Sequence, residues 1–265
     1  MNNPSKDQLK SAAATGDTAH LREYFLAHKP SIPPETAQEL LKAAVVGCHT
    51  SVVDFLLNEF PQLELSDETV HAAACKASIP VLSQLIARDP SLANRRLERI
   101  GTPLSSACRS RRSIEFLRYL LEQGADPNKR PESFGFPIAL AATRYDDTAA
   151  IDLFLGHGAR LEHSGALGAA AGQGNDAMMR YLLSKGAAPD NDARELAGEH
   201  PLHSALMAGQ VGAARILLDH GASINVVDRS GKSLAEVADL LESKGEDRAE
   251  FKALLSKVRE ERSKQ

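Results

Sequence analysis

The side chains with the readiest chemistry are three cysteines and a few histidines. Cys48, Cys75 and Cys108 each fall near the end of a short Ala-rich segment. None has the C-x-x-C spacing of a structural zinc site, so no metal is expected, and they read as small apolar residues filling a packed interior. A cofactor-free isomerase or cyclase needs only positioning and one acid or base; His203, His200 and Arg144 are the catalytic candidates for such work. The run Gly165-Ala166-Leu167-Gly168-Ala169-Ala170-Ala171-Gly172-Gln173-Gly174 invites a phosphate-binding reading, but it lacks the G-x-G-x-x-G order and no Gly-Lys-Ser/Thr follows. It reads better as a helix of very small residues closed by a turn. Asp146-Asp147 and Asp190-Asn191-Asp192 have too few neighbouring oxygen ligands for a cation and suit helix caps and turns. No Ser-His-Asp elbow, paired-carboxylate site or cofactor fingerprint is present, so no cofactor is expected.

The elements that would position these groups are set by internal repetition. A small Ala-rich helix, a turn, a second helix ending in Leu-Leu, and then Gly-Ala recur along the chain. The clearest junctions are at Gly124-Ala125, Gly158-Ala159, Gly186-Ala187 and Gly221-Ala222. Two of the steps between them are close to 33 residues, and the third, from 158 to 186, is short by about one hairpin finger. The matching first helices open at Thr102-Pro103-Leu104, Pro137-Ile138-Ala139, Ala166-Leu167-Gly168 and Pro201-Leu202-His203. Pro in the first turn loses no hydrogen bond, because its N–H would have no partner inside the helix. Gly after Leu-Leu supplies the left-handed residue that stops the second helix.

This pattern resembles the ankyrin repeat, whose first helix opens with Thr-Pro-Leu-His and runs through Ala-Ala. The resemblance implies an all-α ankyrin-repeat solenoid of stacked helix-turn-helix units with short loop or β-hairpin fingers. It extends upstream in weaker form, with helix pairs expected over 7–26, 35–60 and 67–89. There Ala12-Ala13, Ala43-Ala44 and Ala73-Ala74 mark the first helices, and the terminating Gly-Ala is missing. Residues 1–265 are read as one repeat domain: degenerate repeats over 6–99, well-formed ones over 100–228, a capping repeat over 229–258 and a polar tail over 259–265. In the cap, Phe251, Leu254, Leu255 and Val258 form one apolar stripe, and Lys252 and Lys257 are expected to face water. His71 and His203 lie at or beside the family's helix-start histidine, which implies a structural tie to the finger backbone.

The family's inner surface usually binds another protein, so the implied function is a non-enzymatic scaffold. The partner-binding positions implied by the repeat pattern are Lys76, Arg99, Arg109, Arg144, Gln173 and Met207, with finger residues Phe134 and Phe136. Charge sharpens the expectation. The chain carries a net −4, yet residues 95–130 hold nine basic side chains against four acidic ones, leaving +5 there and −9 elsewhere. Arginines so arranged suit an acidic protein partner. The alternative is a small-molecule or enzymatic pocket in a hollow beside the small-residue helix, walled by Phe134, Phe136, Arg144 and Met207. Overall acidity and a 5% aromatic content argue against nucleic acid. No apolar run approaches a membrane span and the start is polar, so the expectation is a reducing compartment, the cytoplasm or nucleus.

Overall fold

The computed structural model describes residues 5–28, 32–98, 100–129, 136–190 and 200–264. Its contacts group into two compact units, Met1–Asp126 and Pro127–Gln265. The first holds α1 (Lys6–Thr15), α2 (Thr18–His28), α3 (Pro34–Val46), α4 (Thr50–Glu59), α5 (Asp67–Lys76), α6 (Ile79–Arg88), a 3-10 turn (Pro90–Asn94), α7 (Pro103–Arg109) and α8 (Ile114–Glu122). The second holds α9 (Pro137–Arg144), α10 (Ala149–Gly156), α11 (Ala166–Gln173), α12 (Asp176–Ser184), α13 (Pro201–Met207), α14 (Val211–Asp219), α15 (Leu234–Ser243) and α16 (Ala249–Arg262). Among the described residues no β-strand forms; isolated bridges Leu97–Gly101 and Val227–Ser233 pinch two of the fingers.

Each unit is two layers deep. In the first, α1 packs on α3, α3 on α5 and α5 on α7, while α2, α4 and α6 form the second layer. In the other unit the first layer runs α9, α11, α13, α15, and α12, α14 and α16 follow one another behind it. The Ala pairs are what permit this. Ala13, Ala44, Ala73, Ala74, Ala141, Ala142, Ala170 and Ala171 are fully buried, and their small side chains let neighbouring first helices approach closely. The Leu-Leu positions fill the space between the layers: Leu120, Leu182 and Leu217 are fully buried. At the amino-terminal end aromatics do the same job, with Phe25 stacking edge-on against Phe55 at 5.2 Å and Phe60 at 5.6 Å.

Local rules start and stop these helices. Thr102 caps α7, accepting from the Ser105 N–H at 3.2 Å while Ser105 Oγ accepts from the Thr102 N–H at 2.8 Å. Pro103, Pro137 and Pro201 occupy the first turn of α7, α9 and α13. At the well-formed junctions the Gly-Ala pair closes a Schellman turn: Ala125, Ala187 and Ala222 N–H each donate to the carbonyl five residues back, at 3.0 Å. The glycine between is left-handed, at φ 86° for Gly124.

The degenerate repeats solve the same problems differently. α4 ends at Phe60-Pro61 with no glycine, and the Arg88 guanidinium of the next repeat donates to the Leu57 (3.2 Å), Phe60 (3.3 Å), Pro61 (2.6 Å) and Leu63 (3.0 Å) carbonyls. At the ends of α3, α5 and α7 the left-handed residues are Cys48 (φ 60°), Ala77 (φ 57°) and Arg111 (φ 50°), where a Cβ costs about 1–2 kcal/mol. An Asn ladder ties neighbouring fingers: Asn94 donates to the Gly124 carbonyl (2.6 Å) and accepts from Asp126 N–H (2.7 Å), and Asn128 does the same with Gly158 and Arg160 (both 2.9 Å). The short step between 158 and 186 is an abbreviated finger over 160–165, turned by His163 at φ 54° and Gly165 at φ 73°.

Two expectations shift. The last helix runs on to Arg262 through residues read as tail, with Arg259 and Arg262 at its carboxyl end, where cations favour the helix dipole. Lys252 does not simply face water; it bridges Asp239 and Glu242, both at 2.5 Å.

Candidate functional site

The first helices set where exposed side chains gather, because their buried faces are committed to neighbours. In the first unit, Lys10 and Ala14 on α1 and Gln38, Lys42 and Val46 on α3 repeat at four-residue spacing, so each set lies along one helix face. That face borders a groove of about 940 Å³. Its floor includes Ala14, Ala43, Val46 and Ile100, with Val46 still 41% exposed. Its walls carry Glu35, Glu39, Asp67, Glu68 and Glu98.

The groove's cations are engaged within it. Lys6 donates to Glu39 at 2.7 Å with Lys10 at 3.9 Å, and Lys42 pairs with Glu68. These lysine hydrogen bonds are the main cause holding the Glu39 and Glu68 carboxyls below the usual range. Asp67 Oδ2 accepts the Glu98 backbone N–H at 2.9 Å. Among the described residues Glu35 and Glu98 have no cationic partner.

The expected partner-binding residues fall into two groups. Lys76 ends α5 and is exposed; Arg144 and Gln173 end α9 and α11 at equivalent places, and Met207 ends α13 one position earlier in the repeat, all exposed, with Met207 at 51%. Since α9, α11 and α13 pack side by side, these last three form one row along their carboxyl ends. Arg109 is half-buried, and its guanidinium donates to the Ile100 carbonyl. Arg99 and Phe134 lie outside the described residues.

Phe136 borders a hollow of about 230 Å³ with Asn128, Arg160, Glu162, His163 and Ser164. Neither Arg144 nor Met207 lines that hollow. The small-residue helix α11 is instead closely flanked by α9 and α13, with Ala166, Leu167, Gly168, Ala170 and Ala171 buried.

The cationic stretch divides: among its described residues Arg96, Arg111, Arg118 and Lys129 are exposed, whereas Arg95, Arg109 and Arg112 are half-buried. Arg95 donates to the Leu65 carbonyl and pairs with Asp89 at 3.1 Å, and Arg112 donates to the Ser110 carbonyl at 2.9 Å. Guanidinium groups here act as caps for carbonyls that no glycine turn satisfies.

The imidazoles separate in role. His71 meets Ser106 Oγ at 3.2 Å and Cys75 Sγ at 3.5 Å, so its tie is to the neighbouring first helix and not to finger backbone. Burial first, then the nearby Arg109 charge, lowers its pKa. His203 is fully buried, with His200 beside it at 6.1 Å between ring centroids. Among the described residues neither ring nitrogen of His203 has a hydrogen-bond partner. Burial and then His200 lower its pKa; the Lys232 backbone and Asp228 oppose them. The cysteines also diverge from a common packing role: Cys108 is buried and its thiol is pushed well up by desolvation, Cys75 is half-buried beside polar atoms, and Cys48 is exposed in a left-handed turn. Among the described residues no group of three or more His, Cys, Asp or Glu is placed to hold a metal ion.

The groove was not among the positions singled out from the sequence. The four-residue polar spacing on α1 and α3 and the acidic Asp67-Glu68 pair opening α5 were the available signals, masked by the weakness of the repeat motif there.

Stacked helix pairs, glycine-terminated second helices and bridged fingers define a helical-repeat protein. The family model described as ankyrin repeats (3 copies) matches two stretches, residues 40–131 and 138–228. The chain belongs to the ankyrin-repeat family. It matches no curated protein. No helix among the described residues is long and apolar enough to cross a membrane.

Proposed function

We propose that this protein is an interaction scaffold that holds a partner protein against the exposed sides of its first helices and fingers, acting by binding and not by catalysis. The observation that supports it most is the set of exposed Arg144, Gln173 and Met207 at the carboxyl ends of three packed helices, the first two at equivalent places and Met207 one position earlier. One partner segment lying across α9, α11 and α13 meets all three, and a few such anchors carry most of the affinity of an interface. Lys76 holds the corresponding place on α5. Within the 95–130 stretch Arg95, Arg109 and Arg112 each donate to a backbone carbonyl and help hold the local backbone in shape, while Arg96, Arg111 and Arg118 stay exposed. Free thiols suit a reducing compartment such as the cytoplasm or nucleus.

The test is affinity capture with the wild-type chain and with an Arg144→Glu/Gln173→Glu/Met207→Glu variant of unchanged circular dichroism. The expected result is a protein retained by the wild type and lost by the variant. Equal retention by both removes this face from the function.

A further inference from the structure

We propose that the groove of the unit formed by residues 1–126 receives an extended segment of a partner protein rich in lysine or arginine; this rests on the scaffold reading and specifies the chemistry of its partner. Three observations carry it. The first is the shape and lining of a space of about 940 Å³, apolar along Ala14, Ala43 and Val46 and acidic on the walls. Lysine and arginine are the residues that match both: their methylene stems lie on apolar surface while the charged head reaches beyond it. A bare cation would have no use for Val46, which remains 41% exposed between the carboxylates.

The second is the charge balance. Five carboxylates and two lysines line the groove among the described residues. Lys42 is held by Glu68 and Lys10 lies 3.9 Å from Glu39, while Glu35 and Glu98 stand without a cationic partner. Exposed pairs of this kind are worth at most about 1 kcal/mol, so an incoming guanidinium or ammonium exchanges into them at little cost.

The third is where the nearby arginines point. Three of them, Arg88, Arg95 and Arg109, donate to backbone carbonyls of the fingers, while Arg96 is exposed. The geometry of those three is fixed by the fold, and a polyanion gains no free guanidinium from them.

The experiment uses the full chain and a fluorescein-labelled nonapeptide of alternating lysine and alanine, with the matching glutamate-alanine peptide as control, read by anisotropy at low and moderate salt. The lysine peptide is expected to bind, and to bind more weakly as salt rises. A Glu35→Gln/Glu98→Gln variant is expected to weaken it about three- to tenfold, the range for two exposed charge contacts. These carboxylates make no ion pair within the described fold, so the variant keeps its structure. Val46→Arg places a like charge on the floor and is expected to abolish binding. Tighter or equal binding of the glutamate peptide overturns the inference while leaving the scaffold reading intact. Binding of neither peptide overturns the groove as a docking site for extended chains, and the capture experiment above then judges the scaffold reading separately. Lysine-peptide binding unaffected by both variants also overturns it, since the contact then lies elsewhere.

Discussion

Replacing Arg88 with alanine is expected to destabilise the protein by about 2–4 kcal/mol. The α4 helix ends at Phe60-Pro61, without the left-handed glycine that closes the second helices of later repeats. One guanidinium from α6 instead meets the carbonyls at the helix end, Leu57 and Phe60, and those of the loop that follows, Pro61 and Leu63. A hydrogen bond to a charged group contributes about 1.5–3 kcal/mol, and four acceptors sharing one donor group do not add. The two short bonds, to Pro61 at 2.6 Å and Leu63 at 3.0 Å, dominate; counting only those, and discounting for the half-exposed side chain, gives the stated range. Lysine at the same position keeps the charge but not the fork that spans from Leu57 to Leu63, so Arg88→Lys should recover less than half of the loss. Urea unfolding followed by helical circular dichroism reads both variants, with the slope expected to stay near the wild-type value. A loss below about 0.5 kcal/mol, the level of an ordinary surface substitution, or a lysine variant as stable as the wild type, would show that water satisfies those carbonyls and that the arginine is incidental.

Ala77→Gly should stabilise the chain by about 0.5–1 kcal/mol, because relief of left-handed strain at φ 57° exceeds the added freedom of glycine in the unfolded state; a lower urea midpoint for the variant would contradict this. Stability should fall as the pH drops from neutral. The folded pKa of His203 is lowered, so the unfolded chain binds the extra proton first, and stability complete above the unfolded value of about 6.5 is lost as the pH falls from there through the folded value. The groups facing that ring are His200, Asp228 and the Lys232 backbone. Urea midpoints at several pH values should show a slope that His203→Asn flattens, and an equal slope in the variant would place the acid sensitivity elsewhere.

How much of this was legible without coordinates depended on how local the cause was. Pro at a helix start, a left-handed glycine after Leu-Leu and an Ala pair between them act within a few residues, so the helix pairs from α7 to α14 were readable, and spacing alone showed a finger shortened somewhere between 158 and 186. The helix pairs of the degenerate repeats were also readable, but not what closes them: Arg88 reaches carbonyls of the repeat before it, and nothing near α4 in sequence announces that. The same long reach ties Arg95 to the Leu65 carbonyl thirty residues away, while Arg109, one of the expected partner-binding residues, meets the nearby Ile100 carbonyl.

The sequence by itself determined the repeat, its helical class and the places where each helix begins, because backbone geometry and side-chain size decide those locally. Tertiary structure alone decided which charges remain available. Stacking brings α1, α3 and two fingers around one groove and commits the neighbouring arginines to backbone, and whether a charged group faces a carbonyl or a partner depends on residues some thirty positions away.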